Sequence, residues 1–120
     1  MPSISPRRST SAMSGRVFQH VVFAMLFAVL SGTAAAAKVI RIAIDAAAFA
    51  PVDVTATVGD TIEWTNSDIV DHTATARNGD WDVDIPVGAT MQLQLDHAGN
   101  LEYFCRFHPN MKGRIVVEPR

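Results

Sequence analysis

The sequence predicts an all-β domain, a Greek-key sandwich or barrel. After residue 38 the chain runs as short apolar or alternating segments divided by Gly, Asp, Asn and Pro, with no helical period of useful length. About eight such segments recur at regular spacing with turn chemistry between them, the pattern of antiparallel sandwiches and barrels. No repeat, low-complexity run or linker interrupts them, so residues 38–120 read as one domain.

Taken in order, Val39-Ile-Arg-Ile-Ala-Ile44 alternates and is β-branched, which suits a strand with one buried face. Ala46 to Phe49 reads as a helical turn stopped by Pro51. From Val52 to Val58, Val54, Ala56 and Val58 alternate with Thr55 and Thr57. Gly59-Asp60 then turns the chain into Thr61-Ile-Glu-Trp-Thr65. His72–Ala76 and Trp81–Ile85 are short pieces about the Asn78-Gly79 turn, and Met91-Gln-Leu-Gln-Leu95 alternates cleanly. Ala98-Gly99-Asn100 leads into the strand Leu101–Cys105, and Arg114–Glu118 closes the domain.

Residues 1–37 read as an export signal to be kept out of the fold. Arg7, Arg8 and Arg16 supply a positive start, and no acidic residue precedes Asp45. An apolar run from Val17 to Leu30 follows, and Ala35 and Ala37 suit an Ala-x-Ala cleavage site that begins the mature chain near Lys38. An uncleaved membrane anchor is the rival, since Val17 to Ala37 is about long enough to span a bilayer. Gln19, His20 and the Ala-rich end favour cleavage. Arg7-Arg8 hints at twin-arginine export, but Ser-Thr follows where an apolar pair belongs. The expected compartment is the periplasm.

Within 38–120, seven Lys and Arg stand against twelve Asp and Glu, a net charge of −5 before His. That balance gives no electrostatic footprint for nucleic acid. A domain this small buries only about 60% of its unfolded surface and benefits from a staple. Cys105 is the only cysteine, so an intrachain disulfide is excluded and a bound metal is the substitute.

The densest chemistry lies in Cys105-Arg-Phe-His108-Pro-Asn-Met111, which sets a thiolate, an imidazole and a thioether within seven residues. With His72 upstream they make the donor set of a mononuclear copper electron-transfer site: two His and one Cys near trigonal, Met a long axial ligand. Each alone has a bland reading: a buried Cys, an ordinary His, a core Met. Three different donors at this spacing in a one-cysteine exported chain outweigh it. Zinc takes Cys and His but has little use for a thioether, so copper is favoured.

These residues sit in a longer pattern: Phe49-Ala-Pro51, Val58-Gly-Asp-Thr-Ile-Glu-Trp64, Asn66-Ser-Asp68, Asp71-His-Thr73 and Gly99-Asn-Leu-Glu-Tyr-Phe-Cys105. The chain here resembles the small blue-copper proteins, the cupredoxins, and within them the plastocyanin–amicyanin–pseudoazurin group. Its Cys-x2-His-x2-Met loop, with Pro109 after the histidine, is similar to the short loop of amicyanin. The resemblance covers nearly all of 38–120. It implies a cupredoxin-like Greek-key β-sandwich of seven to eight strands holding one copper ion, cycling between Cu(I) and Cu(II). It also implies His72, Cys105, His108 and Met111 as the ligands. Two positions depart from the family pattern. Thr73 stands where several members carry Asn, and Phe107 stands where many carry Pro. Unlike proline, Phe107 has an amide hydrogen to offer the Cys105 sulfur.

His97 reads as a solvated loop residue, His20 belongs to the leader, and Trp64 and Trp81 read as core or wall. Asp80, Asp82 and Asp84 would form an acidic face, with Arg106, Lys112 and Arg114 a basic collar near the loop. The expected function is a monomeric periplasmic electron carrier, not an enzyme, docking transiently on redox partners such as a cytochrome c or a dehydrogenase. Multicopper oxidases need His-x-His pairs, which are absent. The alternative is a carrier or storage protein that delivers copper rather than electrons.

Overall fold

Two β-sheets face each other across an aromatic core in the computed structural model, which describes residues 2–5, 28–29, 31–32 and 36–120. The export leader expected over residues 1–37, with its apolar run and His20, falls for the most part outside the described residues. The strands all belong to the compact unit Ala34–Arg120.

The elements are β1 Val39–Asp45, β2 Ala48–Ala50, β3 Asp53–Thr57, β4 Thr61–Asn66, β5 His72–Ala76, β6 Asp82–Ile85, β7 Thr90–Gln94, β8 Gly99–Cys105 and β9 His108–Glu118. One sheet has the order β2-β1-β4-β7 and the other β3-β9-β8-β5-β6. Parallel pairs β1–β4 and β3–β9 sit among antiparallel neighbours. Hairpin pairs β1–β2, β5–β6 and β8–β9 are joined by the non-consecutive pairs β1–β4, β3–β9, β4–β7 and β5–β8, as Greek-key connections require.

Strand alternation does the sorting. Ile42 and Ile44 of β1, Ile62 and Trp64 of β4, Tyr103 of β8 and Ile115 of β9 are each no more than 1% exposed, while their sequence neighbours point outward. At the centre, Tyr103 packs on Phe49, Trp64 and Trp81 with ring centroids 4.7, 5.7 and 5.6 Å apart. Each fully buried large apolar side chain contributes roughly 1.5–3 kcal/mol. A surface pair such as Arg41–Glu63 contributes about 0–1 kcal/mol. The core therefore dominates stability. Tyr103 also explains Gly113 opposite it: a Cβ there would lie 2.3 Å from a ring carbon.

Two expectations are corrected. Ala46 to Phe49 is no helical turn. Ala46 and Ala47 hold φ of 50° and 53° and turn a tight hairpin into β2, whose Ala50 pairs with Ala43. Two consecutive positive φ values are the primed hairpin geometry that usually selects Asn or Gly. The loop expected after Cys105 is also shorter. Only Arg106 and Phe107 turn, and β9 resumes at His108, opposite Cys105.

Candidate metal centre

Cys105 ends β8, and a register shift between Phe104 and Cys105 precedes the two-residue turn that sets His108 against it. His72 opens β5, which pairs with β8 on its other side. Two neighbours of one strand thus deliver the two imidazoles to one sulfur. Cys105 Sγ lies 3.7 Å from Nδ1 of His72 and 3.7 Å from Nδ1 of His108. The two rings are 5.0 Å apart, and the three donor atoms lie within 4.8 Å of one another. Metal–nitrogen and metal–sulfur bonds of about 2.0–2.3 Å at trigonal angles separate such donors by about 3.8 Å. The spacing fits one ion. Met111 is 3% exposed and faces the core from β9, three residues beyond His108.

The sulfur is prepared as a thiolate. Burial pushes the Cys105 thiol up, but the Thr73 amide, both imidazoles and the Phe107 amide outweigh it and bring it down to about 6. The Thr73 N–H donates to Sγ across 3.4 Å. A metal-ligating thiol must be deprotonated, and here the protein has already lowered that cost.

His72 is oriented from behind. Its Nε2 lies 3.0 Å from Asp68 Oδ2, which directs Nδ1 toward the sulfur. Burial alone would lower the imidazole; Cys105 and Asp68 together raise it. Asp68 itself is held down at about 2 by the Ala47 amide first, then by His72 and the Ile69 amide. The Ala47 N–H reaches the same Oδ2 at 2.9 Å. The strained hairpin turn therefore supplies a donor that fixes the carboxylate behind His72. Asn66 fixes the loop between: its Nδ2 donates to the carbonyls of Val70 and Ile85, and its Oδ1 accepts from Asp68 N.

Thr73 ties the two ligand segments. Its hydroxyl accepts the Arg106 amide at 2.9 Å and meets Thr75 Oγ1, also at 2.9 Å. Thr75 in turn donates to Asp82. The hydroxyl thus links β5 to the Cys–His turn. Arg106 also bonds Asp82 at 3.1 Å and Asp84 at 2.6 Å, and Arg114 bonds Asp53. The acidic face and basic collar read as separate charge groups are thus partly one ion-paired cluster, because β6 and β8 flank β5 and the Arg106 side chain from the β8–β9 turn reaches across it.

His97 is exposed, pairs with Asp96 and stands apart from the donor cluster. Trp64 is buried and Trp81 half-buried. Sequence reasoning missed the roles of Asp68 and Asn66. An Asn-x-Asp turn ending four residues before a candidate His ligand was the available signal.

Comparison with known proteins agrees with this geometry. A family model described as a cupredoxin-like domain matches residues 19–117. Amicyanin of Paracoccus versutus is 31% identical over 72 residues, covering 55% of this chain and 54% of the relative. Amicyanin-alpha of Methylorubrum extorquens is 32% identical over 66 residues, covering 50% and 56%. The chain thus spans about half the length of these curated relatives. Among solved structures, a reduced proline-to-phenylalanine mutant of amicyanin superposes with a TM-score of 0.59 at 27% identity, covering 67% of this chain and 82% of the other. A purple cupredoxin from Nitrosopumilus maritimus gives 0.58 at 26%, covering 65% and 98%. A nine-stranded two-sheet sandwich, a His-Cys-His cluster sized for one copper ion and a family match over most of the sequence converge: the chain belongs to the cupredoxins.

Proposed function

We propose that this protein is a periplasmic blue-copper electron carrier in which His72, Cys105, His108 and Met111 hold the metal. The observation that carries the reading is the Cys105 sulfur equidistant from two imidazole nitrogens while accepting the Thr73 amide. Bound at such a donor set, copper supplies a one-electron Cu(I)/Cu(II) couple. The residues do the rest. Asp68 holds the His72 ring, Thr73 locks the Arg106 turn to β5, and Thr73 and Phe107 donate to the sulfur. Sites fixed this firmly change little on electron transfer, and four protein ligands leave no open position for a substrate. The reading therefore assigns no catalytic residue.

Docking falls to the apolar residues about this end. Phe107 is 54% exposed in the Cys–His turn, Val87 is exposed with its amide bonded to Asp71, and Ile69 and Val70 lead into His72. A collar of this kind suits brief encounters that bury less than about 1,200 Å². Partners of the type expected are a cytochrome c or a dehydrogenase, met by a monomer after removal of residues 1–37. Voltammetry of the copper-loaded protein tests the reading. A reversible one-electron wave supports it, and a colourless, rapidly exchanging Cu(I) site would instead indicate a metal-delivery protein.

A further inference from the structure

Asp60 is the buried charge that the metal centre does not use. It is 1% exposed, in the β3–β4 turn, at the end of the strands opposite the Cys105–His108 turn. Its Oδ2 accepts the Thr57 amide at 2.9 Å. Its Oδ1 accepts the backbone N–H of Lys38 at 3.0 Å and Nη2 of Arg120 at 3.1 Å. Lys38 is held from its other side as well, since its carbonyl accepts Thr61 N–H at 2.9 Å. Ala36, Ala37 and Lys38 are exposed and precede the first paired residue of β1.

The nitrogen that Asp60 grips is the one a leader peptidase would free. We propose that cleavage between Ala37 and Lys38 arms a clasp, in which the new α-ammonium of Lys38 pairs with the buried Asp60 carboxylate and locks β1 to the β3–β4 turn. The proposal rests on the leader reading given above. Chemically, water adds across the Ala37–Lys38 amide. The C–N bond breaks, Ala37 keeps water's oxygen and leaves as a carboxylate, and the Lys38 nitrogen takes both of water's protons to become an ammonium. A neutral amide donor becomes a cationic one at the same place, and charge-assisted hydrogen bonds are roughly twice as strong as neutral ones. With Arg120 on the same oxygen, Asp60 gathers both ends of the domain. Processing thus removes the leader and stabilises the sandwich in one step.

The experiment is to express the full chain in a Gram-negative host, purify the exported protein and read its N-terminus by mass spectrometry. Its α-amine is then selectively acetylated and the metal-free forms are melted. The expected product begins at Lys38, and acetylation lowers its Tm by about 4–8 °C. In Asp60→Asn the acetylation shift is abolished. A start elsewhere than Lys38 overturns the leader reading and the clasp with it. A Lys38 start whose free and acetylated forms melt together overturns the clasp alone. The acetylation comparison needs no mutant, so it decides even where Asp60→Asn does not fold.

Discussion

The backbone amide of Thr73 donates to the sulfur of Cys105 across 3.4 Å, although 32 residues separate them in sequence. One residue thus touches the sulfur through its amide and secures the Cys–His turn through its hydroxyl, at the Arg106 amide. Thr73→Val keeps the shape and the first bond but removes the second, leaving a donor without its acceptor. The expected cost is about 1–3 kcal/mol, read as a lower urea midpoint of the metal-free protein. Thr73→Ser should recover most of it. A Val variant as stable as the parent would show that the hydroxyl ties nothing.

Phe107 offers a test on the potential. Its amide is among the groups that hold the Cys105 thiol down. A donor to sulfur withdraws negative charge and favours the electron-rich reduced state. Phe107→Pro removes that hydrogen, so the midpoint potential should fall. An unchanged or raised potential would assign the tuning to Thr73 alone.

Acid should loosen the end of the domain away from the ligands. The Lys38 and Thr57 amides hold the Asp60 carboxyl below its ordinary 3.8, with Arg120 adding to them and burial opposing. A carboxyl depressed in the folded state contributes stability that is fully present above 3.8 and is lost as pH falls through the folded value. Urea midpoints of the metal-free protein should therefore drop on acidification below about 4. Asp60→Asn should be less stable near neutrality and show a flatter acid profile. The slope does not vanish, because Asp68 and Asp82 are also depressed. An unaltered slope in the variant would exclude Asp60 as a contributor.

What could be read from the sequence follows from what is local. Alternation marks β1, β3 and β4 because one face of each packs on the core, and the three sulfur and nitrogen donors stand out by type and spacing. The β2 hairpin carries no such mark: Ala46 and Ala47 take a conformation their side chains do not favour, and the reward lies 21 residues away at Asp68. The pairing of Arg106 with Asp82 and Asp84 was equally hidden. It depends on β5–β6 register and on how soon the chain turns after Cys105, neither of which spacing alone reveals. Gly113, a residue type that favours loops, is a strand residue made small by the Tyr103 ring.

The most direct test is an optical titration of the purified protein with Cu(II). One equivalent per chain should raise an intense visible band from Cys105-to-copper charge transfer. The band should disappear in Cys105→Ala and persist in His97→Ala. Binding without that band, or a band that survives loss of Cys105, would contradict a thiolate-centred copper site.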